Sequence, residues 1–103
     1  MKIPEFMAAL KREVQDLVFP RCNSGEALAL GFQLGMFIMH YGNPTDAELK
    51  QAAQMGAISE TGELNIDLIE QALLSGMKWP WKWGPFKLDE SDLKNIFKGI
   101  REH

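Results

Sequence analysis

The sequence predicts an all-α fold: a single-domain bundle of about five short helices around one apolar central helix, with an extended Trp/Pro-rich segment before the last helix. Three observations predict it. Apolar residues recur at three- and four-residue spacing in several stretches, the period of a helix with one buried face. Helix start and stop chemistry separates those stretches, as in Asn23 with Glu26, Thr45 with Glu48, and Gly42 ahead of Pro44. The 103 residues, 46% hydrophobic and 24% charged, suffice for one domain that buries its core without a metal or a disulfide.

Pro4 suits a first helical turn, and Phe6, Met7, Leu10, Val14, Leu17 and Val18 follow at helical spacing. That helix ends near Val18 because Pro20 cannot continue it. Asn23 and Glu26 form a capping box that opens the second helix, apolar nearly all round from Ala27 to Met39. Such a helix is expected at the centre of a bundle. Gly31 and Gly35 lie one turn apart within it and each costs about 1 kcal/mol against alanine. Close approach of another backbone is the expected compensation.

Thr45-Asp46-Ala47-Glu48 is a second capping box, and its helix runs to about Met55 with Gly56 as C-terminal cap. Ser59 to Glu63, between Ile58 and Leu64, reads as a turn in a loop, with a very short hairpin as the alternative. Asn65 or Leu64 opens a fourth helix carrying Ile66, Ile69, Ala72 and Leu73, and Ser75-Gly76 stops it. Asp89 or Ser91 caps the last helix, where Leu93, Ile96, Phe97 and Ile100 match the helical template.

Between these last two helices lies the densest feature of the chain. All three tryptophans fall within Trp79-Pro80-Trp81-Lys82-Trp83, followed by Gly84-Pro85-Phe86-Lys87, with no acid from Met77 to Leu88. In an extended chain the three rings share one face and Lys78 and Lys82 take the other. The segment is expected to strap the second helix, over Gly31 and Gly35, with any ring left uncovered serving as a binding anchor. Trp79, Trp81, Trp83, Lys78, Lys82, Phe86 and Lys87 are therefore the candidate binding residues. Six acids against one base from Asp46 to Glu70 are expected to face those lysines within the fold.

Enzyme signatures are missing: no phosphate-binding glycine loop, no H-E-x-x-H, no nucleophile elbow. Cys22 and His40 stand alone on separate elements and His103 is the final residue, so no metal site or cofactor is expected. Glu60 and Glu63 read as solvated turn acids. Thr45 to Leu74 fails as a helix-turn-helix, because its connector is too long and Asp67 and Glu70 repel phosphates.

The formal charge of −3 disfavours general nucleic-acid binding. One cysteine and an N-terminus without a signal-like apolar stretch point to a reduced, cytoplasmic setting. The uncharged run from Ala27 to Tyr41, 15 residues, falls short of the ~20 that a membrane span requires. The expected function is a small, non-enzymatic protein–protein interaction module, with an unknown protein or a second copy of the chain as partner. A nucleic-acid-associated regulator using the Lys/Trp segment 78–87 is the second reading.

Overall fold

A computed structural model describes residues 1–75 and 90–102, with His40 described by its backbone alone. The described residues form five α-helices: α1 (Ile3–Leu17), α2 (Ser24–Tyr41), α3 (Asp46–Gln54), α4 (Ile66–Leu74) and α5 (Glu90–Arg101). The all-helical class is as the sequence predicts.

Local chemistry accounts for most of the boundaries. Asn23 accepts the Glu26 backbone N–H at 2.8 Å, while the Glu26 carboxylate accepts the Asn23 N–H at 3.0 Å, so two otherwise orphaned donors are satisfied together. Thr45 and Glu48 repeat the exchange at the start of α3. Asn65 caps α4 by accepting from the Leu68 N–H at 3.1 Å. Ser91 lies inside α5, which leaves Asp89 as the cap residue read from the sequence, and it lies outside the described residues. Pro20 falls within a short 3₁₀ turn, Phe19–Arg21, which redirects the chain from α1 into α2.

The core is built where α1 packs along α5 and α5 against α4. Ile3, Phe6, Met7, Leu10 and Val14 of α1 meet Leu93, Ile96, Phe97 and Ile100 of α5, all buried. Phe6 and Phe97 lie with ring centroids 6.1 Å apart, tilted by 45°. Fully burying a side chain of this size contributes about 1.5–3 kcal/mol. The α1–α5 seam therefore carries much of the hydrophobic stability.

Between α3 and α4 the chain turns at Gly56, whose φ of 76° is the left-handed conformation expected of a glycine cap. Ile58 and Leu64 then pair in a single antiparallel bridge, closed by Ser59 N–H to the Glu63 carbonyl at 2.8 Å. The sequence favoured a loop; this one bridge forms because Gly62, at φ 87°, permits the tight reversal. The Leu64 N–H donates to the Met1 carbonyl at 2.8 Å, and the Met1 ammonium pairs with Glu63.

That hydrogen bond to the ammonium, aided by its charge and by Lys2, holds the Glu63 carboxyl below its ordinary value. A carboxylate depressed on folding stabilises the native state above its unfolded pKa, and the contribution is lost as pH falls through the folded one. Glu63→Gln should accordingly flatten the acid limb of a stability-versus-pH curve and leave the pH dependence near neutrality unchanged; an unchanged acid limb would discount the pair.

Two acids of the Asp46–Glu70 stretch find a cation on α5. Arg101 donates to Asp67 from Nε at 3.2 Å and from Nη2 at 2.7 Å, and also to Glu70, the one charged side chain recorded as buried among the described residues. Hydrogen bonds to Glu70 first and Asp67 second raise the Arg101 pKa. Removing one partner of a buried pair strands the other charge at about 3–5 kcal/mol. Because the Arg101 side chain is 40% exposed, water screens the pair, and Arg101→Ala is expected to cost about 1–2 kcal/mol. Chemical denaturation measures it, and a loss beyond that of Lys94→Ala, which breaks only an exposed pair with Glu90, would identify the contacts with Asp67 and Glu70 as the cause.

Candidate binding surface on helix α2

The second helix is apolar all round, as the sequence reads it, but only one side of it enters the core. Leu34, Phe37 and Tyr41 are buried, with the Phe37 and Tyr41 rings 4.9 Å apart. Burial, followed by the nearby Glu48 charge, raises the Tyr41 pKa, so its hydroxyl stays neutral. Four large apolar side chains of the same helix lie open: Leu28 is 77% exposed, Phe32 70%, Met36 51% and Met39 70%.

At about 100° per residue, these four and Gly35 occupy roughly a third of the helix circumference, on the side away from Leu34, Phe37 and Tyr41. The reason lies in the α1–α5 pairing. That seam already closes the core, so α2 flanks the bundle and has no neighbour on its outer side among the described residues.

The glycines confirm that placement and correct the expected compensation. A Cβ added at Gly31 would meet the Phe19 ring at 3.7 Å, a side chain rather than a second backbone. At Gly35 an added Cβ would meet nothing within 4 Å. Beside the open face a groove of about 320 Å³ runs between α1 and α2, lined by Lys11, Gln15, Phe19, Gly31, Gly35 and Ile38 among others. A dry cavity of about 150 Å³ accommodates benzene, so this groove has room for a large side chain.

Taking roughly 200 Å² for each fully exposed side chain of this size, the four leave on the order of 500 Å² of surface in water. That sits at the upper end of the largest patch on an ordinary monomer, and such patches mark interaction sites. Two methionines add adaptability, since the unbranched thioether repacks against differently shaped partners. No Asp, Glu, Lys or Arg occurs from Ala27 to Tyr41, so shape and apolar area govern whatever binds here.

The residues singled out from the sequence as binding candidates (Lys78, Trp79, Trp81, Lys82, Trp83, Phe86 and Lys87) all lie outside the described residues, as does the expected strap over α2. The side chain of His40, read as standing alone on its element, is likewise outside the described residues. Cys22 is a free, half-buried thiol that donates to the Val18 carbonyl at 3.4 Å. The turn acids do not pair with each other: Glu63 turns to the N-terminus, while the Ser59 and Thr61 hydroxyls share a 3.0 Å hydrogen bond. Among the described residues no cluster of three or more His, Cys, Asp or Glu is placed to hold a metal, and no helix is long and apolar enough to cross a membrane.

Compared with known proteins, the chain matches no family model, no curated protein and no solved structure. Any functional reading therefore rests on the physical character of the surface itself.

Proposed function

We propose that the chain is a non-enzymatic protein–protein interaction module whose contact surface is the outer face of α2. The observation that carries the reading is the exposure of Leu28, Phe32, Met36 and Met39 on one helix face. Leaving them in water forgoes about 25 cal/mol for each Å² of apolar surface, stabilisation that a partner can supply. An aromatic flanked by long apolar side chains is also the composition of an interface centre. The same proposal places the module in the reducing cytoplasm, in keeping with a single free cysteine.

From Ala27 to Tyr41 the helix offers phosphates no lysine or arginine. The alternative as a nucleic-acid-associated regulator therefore rests wholly on the lysines of the Lys/Trp segment 78–87, which lies outside the described residues.

Paired capture tests the proposal. The native chain and its Phe32→Asp variant serve as baits in extract of the source cell, with circular dichroism confirming equal helicity. A protein retained by the native bait and lost with Phe32→Asp supports the reading. Identical retained proteins on both baits reject the α2 face.

A further inference from the structure

Building on the reading of α2 as a binding surface, we propose that its occupant is α2 of a second copy of this chain, antiparallel about a two-fold axis passing between Gln33 and Leu34. A two-fold contact uses the same patch twice, so the patch must complement itself when reversed. Reversal about that point sets position 32 level with position 35 of the facing copy, and position 28 level with 39.

Side chains between packed helices enter holes framed by residues i, i+3, i+4 and i+7 of the opposite helix. In this register Phe32 enters the hole Phe32–Gly35–Met36–Met39, opened by Gly35, where an added Cβ meets nothing within 4 Å of its own chain. Met39 enters the hole Gly25–Leu28–Ala29–Phe32, opened by the exposed Gly25 and Ala29. Phe32 and Met39 thus each meet a hole with a small residue in its frame, in one shared register, and both framing sets lie within Ser24–Tyr41.

Area and charge agree with this pairing. Two faces of on the order of 500 Å² give about 1,000 Å² buried in total, the size at which specific interfaces begin. From Ala27 to Tyr41 there is no Asp, Glu, Lys or Arg, so the overlap sets no charge against its like. The pairing also gives Gly35 a purpose. Within its own chain it weakens the helix without packing against anything, and in the pair it makes room for Phe32.

Light scattering behind a sizing column, over a concentration series, reads the mass of the 103-residue chain. The native chain is expected to approach twice its 11.7 kDa mass. Gly35→Leu fills the hole and is expected to weaken association about tenfold or more, while the thermal midpoint of the diluted chain holds or rises. In a Cys22→Ser background, mixing Leu28→Cys with Met39→Cys chains should give a disulfide-linked pair. Neither variant alone should, since identical positions lie about 16 Å apart along the axis.

A native mass that stays at one chain overturns the pairing. So does linkage of Leu28→Cys chains to each other, which signals a parallel arrangement, or unchanged association of Gly35→Leu. Peroxide reactivity of Met36 and Met39 then separates the two levels of the argument. A one-chain mass with both methionines reactive overturns the second copy alone, whereas a one-chain mass with both protected, as under a cover from residues 76–89, overturns the α2 surface as well.

Discussion

Phe97→Ala is expected to lower the free energy of unfolding by about 3–5 kcal/mol, a large part of the 5–15 kcal/mol that a domain possesses. Phe97 has no exposed surface, lies tilted against Phe6 and sits in the seam that joins α1 to α5. Truncation removes the ring's transfer free energy and leaves a cavity beside Phe6, in a core whose side chains, Leu10, Val14 and Ile96 among them, are already buried. Urea unfolding followed by circular dichroism measures it. A loss under about 1 kcal/mol would mean that the seam is not the core, because only surface positions tolerate such a change so cheaply.

Phe32→Asp should do the reverse. Phe32 is exposed, so its replacement is expected to move stability by no more than about 0.5 kcal/mol. Association should fall by at least about 2 kcal/mol, some thirtyfold, since a charge replaces the aromatic at the middle of the contact. Denaturation and titration of the same two preparations read both quantities. Equal affinity for the native and variant chains would remove Phe32 from the interface, and a large stability loss would place it in the core. Two phenylalanines on helices of one small protein thus serve opposite ends, and burial alone assigns them.

Much of this was legible in the residues. Asn23 with Glu26 and Thr45 with Glu48 marked two helix starts because capping is local chemistry, fixed within four residues. Leu93, Ile96, Phe97 and Ile100 marked the buried side of α5 because that helix has only one apolar face. Periodicity carries no such direction for α2. With apolar residues all round, the pattern does not say which side meets the core, and a central position is the natural inference. The side is chosen by tertiary packing: α1 and α5 close on each other, leaving α2 at the flank.

The candidate surface was legible only in that α2 is apolar nearly all round, without the side that stays open. Gly35 was read as a point of contact, and it faces open space within the chain. The pairing of Arg101 with Asp67 and Glu70 was not legible either, because it joins residues 34 and 31 apart in sequence. Charge blocks suggested a different match for those acids, with lysines that lie outside the described residues.

The methionines supply the most direct test of the central claim that the outer face of α2 is open in the chain and closes on a partner. Met7 is buried in the core, Met55 is exposed away from the face, and Met36 and Met39 lie on it. Brief peroxide oxidation, read by peptide mass spectrometry at increasing protein concentration, compares them in one sample. The expected result is Met7 protected and Met55 reactive throughout, with Met36 and Met39 reactive in dilute protein and protected as the pair forms. Met36 and Met39 protected to the same degree as Met7 at every dilution would contradict the account, because the face would then be covered from within the chain.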